Sequence, residues 1–190
     1  MKPKSYLDQF YTIDQETGDY FIEIAIKDYD DIFNNWDSSV YNLRDLDSSL
    51  KTFLKDCSQD IALNKSVVLR FNIEDEQKEP ILEKTIVQGI RNYFDYNDHI
   101  MKKKLSERWR KTLLYVLISV LFTAASLYFK NTMQSEVVDQ IILQGLTVGG
   151  WVFLWEAFSM LFIQSSDLLK KRKRYRRLLA APIKFRYKLK

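Results

Sequence analysis

Histidine and cysteine each occur once in the 190 residues, as His99 and Cys57. One cysteine closes no disulfide within the chain, which fits a reducing compartment for the segment that carries it. One histidine excludes a His-based metal site within a single chain. The five glycines form no phosphate-binding loop, and GxGxxG, Walker A, HExxH and CxxC patterns are missing. No enzyme and no cofactor are therefore expected. The first 30 residues hold no apolar run, so no cleavable leader is expected either. Asp28-Tyr29-Asp30-Asp31 has carboxylates but lacks the glycine and closing glutamate of an EF-hand loop, which favours capping and solubility over calcium. Arg44-Asp45-Leu46-Asp47 reads as an ion pair and a helix cap.

What is present is strongly segregated. Residues 1–100 hold 11 Lys/Arg and 20 Asp/Glu, a net charge of −9. Residues 101–130 hold 7 Lys/Arg and only Glu107 as an acid. Residues 131–169 hold no Lys/Arg and four acids, and residues 170–190 hold 11 Lys/Arg and no acid. The mean hydropathy of −0.28 averages over these unlike regions.

Two apolar runs explain the segregation. Residues 112–129 carry no charge; as a helix they extend about 27 Å, close to a hydrocarbon core. Residues 141–163 carry one charge, Glu156, and extend about 34 Å, enough to span with tilt. Lys102, Lys103, Lys104, Arg108, Arg110 and Lys111 precede the first run, and a dense basic block follows the second. The positive-inside rule then predicts both chain ends in the cytoplasm and a short outer loop. Trp109 and Tyr128 stand near the ends of the first run, where amphipathic rings prefer to lie.

In lipid, helix contact depends on small and polar residues. Gly145 and Gly149 have GxxxG spacing and share a helical face with Val152, Glu156 and Ser159. Ser119, Thr123 and Ser126 form a matching stripe on the first run, and the two faces are expected to meet, within a chain or between chains. Glu156 lies about 10 Å deep from the cytoplasmic end, where a carboxyl group is costly unless it faces protein or water. It reads either as a pore-lining or proton-sensing carboxylate, or as a buried glutamate hydrogen-bonded to Ser119, Tyr115 or a neighbouring subunit. Trp151 and Trp155 flank it, as a constriction or as membrane packing. Two helices cannot enclose a pore, so conduction requires a homo-oligomer.

The acidic region reads as a small β-α-β-α domain. Residues 20–27 and 65–73 are rich in β-branched and aromatic residues and predict strands. Leu50, Leu54, Cys57 and Ile61 have helical spacing behind Asp47 or Ser48 as N-cap. Pro80 opens a second helix that is able to run unbroken into the first span. Two strands make a marginal sheet, so residues 6–13 or a second subunit are expected to extend it.

The basic end, with Lys170, Lys171, Arg172, Lys173, Arg174, Arg176, Arg177, Lys184 and Arg186, supports three readings. It could hold anionic membrane lipid, dock on the acidic head, or bind an anionic oligonucleotide through cations and interleaved aromatics.

Three motifs occur in order: Asp30-Asp31-Ile32-Phe33-Asn34-Asn35-Trp36-Asp37 with Arg44-Asp45-Leu46-Asp47, Gly149-Gly150-Trp151-Val152-Phe153-Leu154-Trp155-Glu156, and Ala181-Pro182-Ile183-Lys184-Phe185-Arg186-Tyr187. They resemble a family of small two-span bacterial inner-membrane proteins over most of the chain from about Tyr20. That family is similar to the membrane effector of the Hailong anti-phage system. The resemblance implies an ion channel, an oligonucleotide signal and a nucleotidyltransferase partner, and it promotes the pore reading of Glu156 and the phosphate-binding reading of the basic end.

The expected architecture is α+β: a cytoplasmic head over 1–108, a transmembrane hairpin over 109–169 and a basic cytoplasmic tail over 170–190. The expected function is an oligomeric pore gated through the head. The alternative is a membrane-anchored scaffold that presents the head to a soluble partner.

Overall fold

The computed structural model describes residues 9–74, 78–130 and 137–187. The chain divides into two compact units, Met1–His99 with Arg172–Lys190, and Ile100–Lys171. The second unit is thus inserted into the first.

The first unit is built on a four-stranded mixed sheet, ordered β1 (Thr12–Ile13), β2 (Tyr20–Ile26), β3 (Val67–Ile73) and β4 (Ile183–Tyr187). β1 is antiparallel to β2, whereas β2, β3 and β4 are parallel. A turn joins β1 to β2; Gly18, at φ +74°, takes the left-handed conformation there that a side chain would resist. The amide of Gly18 donates to the Asp14 carbonyl at 2.9 Å.

Helix α1 (Ser48–Asp60) crosses from β2 to β3, and the Asp47 carboxylate caps it by accepting from the amides of Ser49 and Leu50. Between β2 and α1, a short 3-10 turn (Tyr29–Ile32) is capped by Asp28. Capping occurs at both acidic clusters, and the ion pairs join Arg44 to Asp30 at 2.8 Å and Lys51 to Asp45 at 2.6 Å rather than Arg44 to its own cluster. Alternation in β2 and β3 sends Ile22, Ile24, Leu69 and Phe71 to one face. There they pack with Leu54 of α1 and with Ile86, Ile90 and Phe94 of helix α2 (Pro80–Lys130).

The basic C-terminal segment belongs to this unit, and the expectation of a separate tail gives way to a structural role. Helix α4 (Ser165–Ala180) buries Leu178, and β4 then pairs with β3 from Leu69↔Ile183 to Ile73↔Tyr187. Phe185 stacks on Phe71 with 5.6 Å between centroids, and the Tyr187 hydroxyl reaches Tyr29 and Glu83. The physical reason is period two: Ile183, Phe185 and Tyr187 alternate with Lys184 and Arg186, so one face is apolar while the other keeps its charge in water. Of the expected N-terminal strand, Thr12–Ile13 forms β1, and residues 6–8 lie outside the described residues.

The second unit contains the remainder of α2, helix α3 (Val137–Phe158), a π-helical stretch Ser159–Gln164, and the start of α4. Two helices are long and apolar enough to cross a membrane, Pro80–Lys130 and Val137–Ala180, and only 11% of the most apolar stretch of each is buried. That low burial separates them from the core helices of a soluble domain, which bury an apolar stripe.

Candidate functional site

Within the second unit the two long helices meet along a seam of hydroxyls and small residues. The Ser119 hydroxyl is buried and donates to the Gly150 carbonyl at 2.7 Å. Thr123 donates back to the Ser119 carbonyl at 2.9 Å. Ser126 reaches the Thr147 hydroxyl at 2.9 Å and the Leu143 carbonyl at 3.3 Å. Gly150 permits this approach, because a Cβ there would stand 3.0 Å from Thr123 Oγ1 and 3.3 Å from the Ser119 carbonyl oxygen. A Cβ on Gly149 would meet the Phe122 ring at 2.9 Å. A Cβ on Gly145 would meet nothing within 4 Å. Ser119, Thr123 and Ser126 therefore do face α3, but through Leu143, Thr147 and Gly150 rather than through the whole GxxxG face.

That offset decides the position of Glu156. At roughly 100° per residue, Glu156 lies about a quarter turn from the Gly150–Ala157 contact line. Its carboxylate is half-exposed and makes no hydrogen bond or ion pair among the described residues. Neither of the two partners expected within the chain bonds it: Ser119 donates to Gly150, and the Tyr115 ring packs near Phe153 at 5.9 Å. Trp151 and Trp155 are 67% and 74% exposed.

One feature had no clear signal in the sequence. Just past Glu156 the helix widens into the π stretch, where the amide of Ser165 bonds the Met160 carbonyl. The Ser165 hydroxyl also donates to that carbonyl, at 2.7 Å. Arg108, from the basic flank of α2, donates to the Gln164 carbonyl, and Thr112 contacts the Met160 sulfur at 3.8 Å. A π turn misaligns carbonyls from their usual donors, and Arg108 and Ser165 supply replacements. Serine after an apolar run was the only hint.

The basic residues divide into two groups. Arg172 holds Asp98 at 2.9 Å. The Arg177 guanidinium donates to the carbonyls of Ser58, Ile61 and Ala62, closing the C-terminal end of α1. Burial, then the neighbouring Arg174, lowers the Arg177 pKa. Arg172, Arg174 and Arg177 are half-buried in the fold, whereas Lys170, Lys171, Lys173, Arg176, Lys184 and Arg186 are exposed.

On the sheet face that carries Lys184 and Arg186, Arg70 lies 3.6 Å above the Phe21 ring and bonds Glu23 at 2.8 Å. Asn72 bonds the other Glu23 oxygen at 2.9 Å.

The chain matches no family model, no curated protein and no solved structure. The geometry therefore carries any functional argument.

Proposed function

We propose that this protein is an oligomeric membrane pore or ion channel, gated through the unit that bears the sheet. One observation carries the reading: Glu156, on an apolar helix long enough to span a membrane, has no hydrogen-bond or ion-pair partner among the described residues of its own chain. An ionisable group at that depth is costly unless neighbouring protein or water satisfies it. Two helices cannot line a water-filled path, so the neighbours are further copies of the chain. The open face at Gly145 and the outward Trp151 and Trp155 supply surface for those copies.

The charge pattern supports both termini in the cytoplasm, and the resemblance implies the bacterial inner membrane. The exposed Lys170, Lys171, Lys173, Arg176, Lys184 and Arg186 suit anionic lipid or an anionic oligonucleotide gating ligand. On the resemblance, a nucleotidyltransferase supplies that ligand in anti-phage defence.

The test is current across a planar bilayer holding the purified protein, with and without short oligonucleotides. Discrete currents that a nucleotide alters are expected, and Glu156→Gln should change the conductance. Silence from folded, oligomeric protein would sink the pore reading and favour a membrane-anchored scaffold, whereas an unchanged Glu156→Gln channel would remove Glu156 from the pore.

A further inference from the structure

We propose that the uncovered edge of β2 is a docking groove for an extended basic segment of a partner protein, which adds to the sheet as a further strand. The backbone establishes the edge. Tyr20 donates to the Ser66 carbonyl and the Ile26 carbonyl accepts from Glu74, so the even-numbered residues of β2 bond toward β3. The odd-numbered residues face the other way. Phe21 is paired by Thr12 of β1, but the chain turns at Gln9 and Phe10 and β1 covers no more. At the far end the Asp31 carboxylate takes the Lys27 amide at 2.8 Å. Between these stops, the amides and carbonyls of Glu23 and Ala25 have no hydrogen-bond partner among the described residues.

These four groups open into a groove of about 530 Å³ whose lining includes Phe33, Leu50 and Phe53 beside Asp31 and Asp47. An exposed row of unpaired strand groups is a template for another strand, and sheet extension gains main-chain hydrogen bonds while flanking pockets select side chains. Phe53 is 43% exposed and offers an apolar contact at the rim. Glu23 is held by Arg70, but the lining carboxylates Asp31 and Asp47 have no ion-pair partner among the described residues, and no lining residue is basic. That charge selects Lys- or Arg-bearing segments over acidic ones. The occupant is thus an extended peptide of alternating basic and apolar residues.

The probe is a fluorescein-labelled peptide of about ten alternating lysine and valine residues, long enough for a typical strand. It is titrated by anisotropy into the full chain in detergent micelles, and hydrogen exchange is followed over residues 20–26. Saturable binding and roughly fivefold slower exchange on that strand are expected. Ala25→Pro removes one edge amide at an exposed position and should weaken binding about tenfold, the loss of one or two hydrogen bonds. Phe53→Ala should weaken it severalfold and serves if Ala25→Pro fails to fold. A peptide of alternating glutamate and valine should not bind.

Absence of saturable binding, equal binding of both peptides, or binding indifferent to both variants overturns the proposal. So does loss of the oligomer in Ala25→Pro without peptide, which assigns the edge to a second copy. Binding that appears only after deletion of residues 1–8 assigns the edge to the chain's own N-terminal segment and likewise overturns it.

Discussion

The sheet-bearing unit and the apolar runs of the helical unit bury different kinds of residue. In the sheet-bearing unit, buried side chains are large and apolar: Ile22, Leu69 and Phe71 are wholly covered. In the helical unit, Leu121 is 68% exposed, while Ser119, Gly150 and Ala157 are among the buried residues. Water drives the first pattern, because removing apolar surface from it stabilises the fold. Lipid offers no such drive, so the helices meet through small residues and hydroxyls that let backbones approach and bond. The difference fits two helices long and apolar enough to cross a membrane beside a unit with an apolar core.

The largest effect that would sharpen the contrast is expected at Phe71. Its ring is fully buried and stacked on Phe185, so Phe71→Ala should cost about 3–5 kcal/mol in denaturant unfolding of the sheet. Leu121→Ala, by contrast, should leave the melt of the sheet-bearing unit unchanged. Equal losses would break the comparison.

Next comes Gly150→Leu, which should disrupt the helix seam by about 1–3 kcal/mol through overpacking against Thr123 and the Ser119 carbonyl. A Cβ at Gly145 meets nothing within 4 Å among the described residues, so Gly145→Leu should be tolerated within the chain. Steric trapping of the two helices distinguishes them, and the opposite order would show that the GxxxG face is the intrachain seam.

A similar loss, about 1–3 kcal/mol, is expected for Arg177→Met, because the carbonyls at the end of α1 lose their donor. The neighbouring exposed Arg176→Met should change thermal unfolding little. That pair separates the structural cations from those left for lipid or ligand.

The most graded effect is alkaline. Burial first, then bonds to Glu83 and Tyr29, raise the Tyr187 pKa above its ordinary 10.0. Burial, then Tyr175 and Asp45, raise that of Tyr93 to about 12. The folded chain keeps these protons where the unfolded chain releases them. Their contribution is therefore complete below pH 10.0 and is lost as pH climbs through the folded values. Melting temperature should fall above pH 10, and Tyr187→Phe should flatten the fall. A flat wild-type profile would refute the burial of both hydroxyls.

Much of this was legible locally. Charge segregation marks the flanks of both apolar helices, Asp47 announces the start of α1, and Pro80 the start of α2. β4 was harder to see, because Lys184 and Arg186 hide an apolar alternation inside a basic run. Glu156 stood out as the lone charge in its run, but its lack of a partner among the described residues depends on which side of α3 meets Ser119.

Periodicity, caps and charge are properties of neighbouring residues, and they sufficed for the two apolar helices, the β2-α1-β3-α2 order and the identity of Glu156. Pairings between distant residues required the fold. The β3–β4 register joins Phe71 to Phe185 across the whole inserted helical unit, Arg177 finds the end of α1, and Gly150 rather than Gly145 meets the serine stripe. Such pairings follow from shape and hydrogen-bond geometry in three dimensions, which no local pattern encodes.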